Sequence, residues 1–110
     1  MDYMDYIEWY PKRVAELRIQ KGVSAREMSL ALGQSESYIN KIENGRTLPS
    51  MTGFIYICEY LGISPMDFFD VGNEAPQKQN ELSKEFQKLT PMQAEHILQL
   101  MKELNKNAGG

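Results

Sequence analysis

At 110 residues, 42% hydrophobic and 25% charged, the chain has room for one soluble domain and an appendage. No apolar run approaches the ~18 residues of a membrane span. The acidic start MDYMDYIEWY lacks the basic opening of a signal peptide, and a single cysteine, Cys58, cannot close an internal disulfide, so a reducing cytoplasm is the expected setting. The net charge of −3 argues against nucleic acid until it is divided along the chain: −3 in residues 1–10, +3 in 11–50 and −3 in 51–110. All the excess positive charge lies in the middle segment, a modest footprint for phosphate.

Residues 1–10 are acidic and aromatic, with Tyr3, Tyr6, Trp9 and Tyr10 beside Ile7. Ile7, Tyr10, Val14 and Leu17 keep helical spacing across Pro11. Either a turn leads into a helix starting at Pro11, or a longer helix carries Pro11 with a kink. The aromatics are expected on the domain's edge; a partner surface is the alternative, and the acids disfavour a DNA-flanking arm. The Met-Asp-Tyr doublet of residues 1–6 reads as too short for structural meaning. Residues 13–21 form the first helix proper, stopped by Gly22. Val14 and Leu17 face inward, and Arg18 lies near that side, which is costly for an unpaired charge.

Residues 24–46, SAREMSLALGQSESYINKIENGR, organise the chain. Ser24 and Glu27 are spaced as a capping box. Met28, Ala31 and Leu32 follow at helical spacing. Gly33 stops the helix, since glycine enters the left-handed conformation without steric cost. Ser35 reads as the cap of a second helix over 35–44, with Ile39 and Ile42 inward and Gly45 ending it. Two helices joined by a short turn with Gly fit a helix-turn-helix, whose second helix enters the major groove of DNA.

Beyond Leu48-Pro49, Ser50 reads as the cap of a helix reaching Leu61, stopped by Gly62. Met51, Phe54, Ile55, Tyr56, Ile57, Tyr60 and Leu61 make it apolar nearly all round, so it calls for cover from the N-terminal aromatics, the C-terminal helix or a second subunit. Cys58 reads as an inert core side chain. Gly53 weakens this helix by about 1 kcal/mol relative to Ala and leaves room for a close approach. Ser64-Pro65-Met66-Asp67 opens a short fifth helix, and Phe68 and Phe69 close the core. Residues 70–79 read as a linker. Leu82, Phe86 and Leu89 then mark a two-turn helix. Thr90-Pro91-Met92-Gln93 opens a last helix to about Asn105, with Ile97, Leu100, Met101 and Leu104 as its stripe and a frayed end from Asn107. Neither helix can bury its stripe alone.

The run Val23-Ser24 with Glu27-Met28, then Leu32-Gly33, Ser35, Ile39 and Ile42-Glu43-Asn44-Gly45, resembles the phage repressor and Cro type of helix-turn-helix, also called XRE-like, over about residues 13–69. The resemblance implies an all-α, five-helix repressor-like DNA-binding domain with a helical C-terminal extension. The organisation expected is an aromatic acidic segment at 1–10, the DNA-binding domain at 11–70, a linker at 71–79 and, at 80–110, a helical extension serving dimerisation. It also implies double-stranded DNA as partner and usually a homodimer. The residues of the second helix that point into the groove are Glu36, Ser37, Asn40 and Lys41, with Tyr38 partly so; by position the family's base readers fall on Glu36, Ser37 and Lys41, and the phosphate contacts on Ser35, Asn44, Arg46 and Thr47. Lys41 suits guanine N7 and O6, and Glu36 a cytosine amino group. Arg18 and Glu43 are implied to form an ion pair that sets the angle of the second helix. Two departures stand out: family members often carry Gln where this chain has Ala25, and Glu36 sets a negative charge near phosphate. Both weaken non-specific binding and put weight on dimerisation and a matched operator.

An enzyme reading finds little. His96, the one histidine, has Glu95 beside it, but adjacent helical residues point apart. No metal spacing, phosphate loop or nucleophile motif occurs, so no catalysis, metal or cofactor is expected. The leading function is a homodimeric DNA-binding transcriptional regulator, a repressor on a palindromic operator. The alternative is a protein-interaction or antitoxin-like module using the aromatic N-terminus or the C-terminal helix.

Overall fold

A computed structural model describes residues 2–108. The chain is all-α and forms two compact units, Met1–Gln77 and Lys78–Gly110. Among the described residues there are seven helices and no strand: α1 (Tyr3–Lys21), α2 (Ala25–Ala31), α3 (Tyr38–Glu43), α4 (Met51–Leu61), α5 (Pro65–Phe68), α6 (Pro76–Gln87) and α7 (Pro91–Ala108).

The longer N-terminal reading holds: α1 carries Pro11 in its interior. Pro11 has no N–H to give the Ile7 carbonyl, so α1 must be secured elsewhere. At its start the Asp2 carboxylate accepts from the Asp5 N–H at 3.1 Å, and Asp5 accepts from the Asp2 N–H at 3.2 Å. The Met-Asp-Tyr doublet therefore does have a structural use, placing two aspartates at capping-box spacing. Over the next turns Trp9 and Tyr10 anchor the helix. Trp9 lies edge-on to Phe68 at 5.7 Å, and Tyr10 stacks at a tilt on Phe68 at 5.0 Å and Phe54 at 6.0 Å. The aromatics thus pack on the domain, as the first of the two readings had it; the side chain of Tyr3 lies outside those described.

Val14, Leu17, Met28, Ile39, Ile42, Phe54, Ile57, Cys58, Leu61, Ile63 and Phe68 form one core shared by α1 to α5. Burying an aliphatic or aromatic side chain of this size stabilises by ~1.5–3 kcal/mol. Two inward expectations fail. Ala31 is exposed, because Met28 and the half-buried Leu32 already fill the inner face of α2. Phe69 is 42% exposed while Phe68 is fully buried; consecutive helical residues diverge, and Phe69 is the C-cap of a one-turn helix. In α4, Phe54, Ile57, Cys58 and Leu61 turn inward, whereas Met51, Ile55 and Tyr56 remain exposed. Burial first, then the nearby Asp67, pushes the Cys58 thiol up to about 11, so it is a neutral core side chain at physiological pH. Burial, with Cys58 and Tyr38 nearby, also raises the Tyr10 phenol. Tyr6, Ile7, Tyr10, Leu48, Pro49 and Met51 border an apolar groove of about 290 Å³ on this unit.

Arg13 is the core's one buried cation among the described residues, 2% exposed. Its Nε donates to the Phe68 carbonyl at 2.9 Å and its Nη2 to the Asp67 carbonyl at 3.0 Å and, longer, to that of Asp70 at 3.5 Å. Nη1 reaches Glu16 at 3.3 Å, and the guanidinium lies 5.7 Å from the Trp9 ring centre. The guanidinium thus satisfies the Phe68 carbonyl, which a four-residue helix cannot pair internally, and adds a second donor to the Asp67 carbonyl, which already accepts from the Asp70 N–H at 3.2 Å. Ser64 and Asp67 close the other end as a capping box.

In the second unit, α7 begins as expected, with Thr90 and Gln93 exchanging the two capping-box bonds. It continues to Ala108, through Asn107 where fraying was expected; Gly109 and Gly110 lie outside the described residues. α6 opens at Pro76, in the last two residues of the first unit and inside the stretch read as a linker, and has twelve residues rather than two turns. Proline is suited to the first helical position, and the Gln-Lys-Gln-Asn-Glu run after it carries no strong breaker. No large apolar side chain on these two helices is fully buried: Leu82, Phe86, Ile97, Leu98, Leu100, Met101 and Leu104 are all exposed.

The arginine cap on α5 yields a direct test. Arg13→Met keeps the stem but strands the Phe68 carbonyl and takes one of two donors from that of Asp67. It is expected to cost ~2–4 kcal/mol, read as a lower urea midpoint with unchanged slope. A loss under ~0.5 kcal/mol, the size of a surface substitution, would show that the cap is dispensable.

Candidate nucleic-acid interface

The α2–turn–α3 segment is built from both sides. At the start of α2 the Ser24 hydroxyl accepts from the Glu27 N–H at 3.0 Å, and the Glu27 carboxylate accepts from the Ser24 N–H at 3.4 Å. At its end Gly33 adopts φ +73°, and Gln34 N–H returns to the Ser29 carbonyl at 3.0 Å. Gly45 does the same for α3 with φ +72°, while Arg46 N–H returns to the Lys41 carbonyl at 3.0 Å. Left-handed backbone at both helix ends requires glycine.

The start of α3 differs from the expectation. Ser35 is not the cap, and residues 35–37 form a turn; the helix begins at Tyr38 with Ser37 as a cap whose side chain makes no capping bond. The role falls to Ser29 of α2. Fully buried, it donates from Oγ to the Ala25 carbonyl at 2.7 Å and accepts from the Ile39 N–H at 2.9 Å. One hydroxyl thereby satisfies an orphan donor of α3 and ties the two motif helices together. Sequence reasoning missed it; the available signal was a serine directly after Met28, on the inner side of an amphipathic helix.

Arg18 and Glu43 form a two-pronged ion pair. Arg18 Nε donates to Glu43 Oε2 at 2.7 Å and Nη2 to Oε1 at 3.0 Å, while Nη1 donates to the Val23 carbonyl at 2.9 Å. The side chains are 16% and 11% exposed. The bond to Glu43 raises the Arg18 pKa, against the opposing effect of burial. Three segments meet here: α1, the approach to α2 and the end of α3. A second brace involves Tyr38. A Cβ on Gly53 would stand 2.8 Å from the Tyr38 hydroxyl oxygen and 3.2 Å from Ser50 Oγ. The close approach that Gly53 allows is therefore by a side chain of α3, not by a helix.

Ile39 and Ile42 are fully buried, which turns the opposite face of α3 outward. Asn40, Lys41 and Asn44 are exposed, and Asn44 Nδ2 donates to Asn40 Oδ1 at 3.3 Å. Ser35 and Glu36 are exposed on the preceding turn and Ser37 is half-buried; Arg46 and Thr47 are exposed beyond Gly45. Glu36 accepts from Arg26 Nε at 3.1 Å. Neither Lys41 nor Arg46 has an ion-pair partner among the described residues. Among those residues, no cluster of three or more His, Cys, Asp or Glu side chains could hold a metal, and no helix is long and apolar enough to cross a membrane.

A family model described as helix-turn-helix matches residues 14–68, half the chain. This protein belongs to the XRE-like helix-turn-helix family. Membership places it among DNA-binding transcription regulators, in which the second motif helix reads the major groove. A curated relative, the uncharacterized HTH-type transcriptional regulator y4dJ of Sinorhizobium fredii, is 27% identical over 73 residues, covering 66% of this chain and 95% of the relative. No solved structure matches the chain.

Removing either partner of the Arg18–Glu43 pair strands a mostly buried charge. Arg18→Met or Glu43→Met alone should cost ~3–5 kcal/mol, and the double replacement much less than their sum. A thermal-melt double-mutant cycle checks this; coupling of only a few tenths of a kcal/mol would mean that the two charges act independently.

Proposed function

We propose that this helix-turn-helix regulator is a repressor that binds a palindromic operator as a twofold homodimer. One observation carries the reading: α3 is fixed on its inner face by Ile39, Ile42, Ser29 and Arg18, while its outer face offers only unburied polar groups. In this reading Lys41 donates to guanine N7 and O6, with Glu36, Ser37 and Asn40 on neighbouring base edges. Ser35, Asn44, Arg46 and Thr47 hold phosphate, fixing register. Of the seven Lys and Arg in residues 11–50, Arg13 and Arg18 are spent on structure. The remaining field is weak, which favours two half-sites over one.

A dimer also suits the exposed apolar stripes. Ile97, Met101 and Leu104 follow at one-turn spacing along α7, and Leu82 and Phe86 along α6, all exposed. Closed twofold symmetry is the commonest way to cover such a surface with a second copy. The two recognition helices then lie about one DNA turn apart, ~34 Å.

The protein-interaction reading rests on the apolar groove beside Tyr6, Ile7 and Leu48. A fluorescence titration with random-sequence DNA separates the two readings. Binding that persists at ~50 mM salt and weakens steeply above it supports the regulator; no binding at that salt supports the interaction module.

Two outcomes follow for variants. Lys41→Ala should lose ~1–3 kcal/mol at the matched operator and relax preference at one base pair, whereas Arg46→Ala should weaken all sequences alike and flatten the salt slope by about one unit. Binding selections and salt titrations tell them apart, and a uniform loss for Lys41→Ala would make it a phosphate contact. For assembly, sedimentation at tens of micromolar should give a dimer, and Ile97→Glu with Met101→Glu a monomer. A monomeric wild type, with and without operator, would refute the twofold assembly.

A further inference from the structure

Two arginines of the first unit show how a guanidinium is used when its job is structural. All three nitrogen positions of Arg13 have partners: Nε on the Phe68 carbonyl, Nη1 on Glu16 and Nη2 on the Asp67 carbonyl. The same holds for Arg18, with Nε and Nη2 on Glu43 and Nη1 on the Val23 carbonyl. Arg26 is different. Only its Nε is engaged, by Glu36 Oε2 at 3.1 Å, and both side chains are about two-thirds exposed, at 70% and 66%. Nη1 and Nη2 have no hydrogen-bond partner among the described residues.

An ion pair so exposed adds little to stability. Arg26 also stands second in α2, in the first turn, where a cation opposes the helix dipole. Neither packing nor helix electrostatics accounts for it. What the pair does is hold the guanidinium from its side, against the turn that leads into α3. The outer fork, Nη1 and Nη2, is left as two parallel donors. A guanine presents two acceptors, O6 and N7, in the major groove, and a guanidinium fork matches them in a bidentate fit.

We propose that Arg26, which lies outside the recognition helix, is a specificity-determining residue that reads a guanine in each half-site, with Glu36 as the positioning residue that presents its fork. The inference rests on the proposed docking of α3 in the major groove. The turn from Ser35 to Ser37 then brings Glu36, and the guanidinium it holds, to the edge of the same groove. Glu36 Oε2 thus takes part in base reading through Arg26 while Oε1 is left toward the neighbouring base edge, and the carboxylate charge is offset by the guanidinium before DNA arrives.

The test is selection of bound sequences from a random double-stranded pool by wild type, Arg26→Ala, Arg26→Lys and Glu36→Gln, followed by titration of the wild-type consensus and of random DNA. Wild type should enrich a guanine at one position of each half-site that Arg26→Ala no longer enriches. Arg26→Ala should bind the consensus roughly ten- to a hundredfold more weakly and random DNA almost unchanged. Arg26→Lys, with one point donor in place of a fork, should not restore the guanine. Glu36→Gln should keep the preference at reduced strength. Thermal melts of all variants should match wild type, because the pair is exposed. A loss of affinity by Arg26→Ala that is equal for all sequences, with the salt slope reduced by about one, would make Arg26 a phosphate contact and overturn the proposal. An unchanged consensus would reduce the pair to a surface ion pair and overturn it equally. In both cases wild type still selects a site, so the DNA-binding reading stands; a wild type that enriches no sequence overturns both.

Discussion

The guanidinium of Arg18 joins three pieces of chain that have no covalent reason to stay in register. It holds Glu43 at the end of α3 by two bonds and the Val23 carbonyl before α2 by a third, and it stands on α1, the helix on which the domain is assembled. Hydrophobic contacts between Ile39, Ile42 and the core define which face of α3 is inside, but such contacts are non-directional and tolerate small rotations. A charge-assisted fork at 2.7 and 3.0 Å does not. Its low exposure adds to the effect: a solvated pair would be exchangeable with water, whereas these two charges have little alternative to each other. The two ends of α3 are therefore held by this contact and by the bond from the Ile39 N–H to Ser29.

Charge in this chain is divided between building and binding. Two of the arginines counted toward a basic face in fact hold α5 and α3 in place, and a third is engaged by Glu36. A domain with so small a remaining field gains little from diffuse attraction to phosphate, and in the proposed dimer sequence-dependent contacts and a second copy supply more of the binding energy.

The second unit poses the converse problem. Its last helix is capped at Thr90 and both are extended by good helix formers, yet Leu82, Phe86, Leu98, Leu100, Met101 and Leu104 remain exposed. Isolated helices of twelve and eighteen residues are marginal without tertiary packing. Their stability is coupled to whatever covers the stripes, and in a homodimer that coupling ties the folding of the second unit to the association that pairs two recognition helices.

By itself the sequence determined most of what is settled within three or four residues, although the Asp2–Asp5 box, equally local, was passed over. The stops at Gly22, Gly33, Gly45 and Gly62 and the caps at Ser24, Ser50, Ser64 and Thr90 stand where local chemistry puts them. A side chain three residues from an orphan N–H either reaches it or does not, and a left-handed residue is glycine or is strained. The inward positions of Val14, Leu17, Met28, Ile39 and Ile42 were legible for the same reason, through helical periodicity. What only the tertiary structure decided are contacts between residues far apart in the chain. Ser35 looked like a cap, but Ser29 from another helix took the role and let α3 begin three residues later. Arg13 looked like an ordinary helix residue and lies buried on carbonyls more than fifty positions away. Ala31 and Phe69 had the composition of core residues and lost their places to better-placed neighbours. Periodicity names the face of a helix; which groups meet across that face is decided by packing, where space and hydrogen-bond partners are finite.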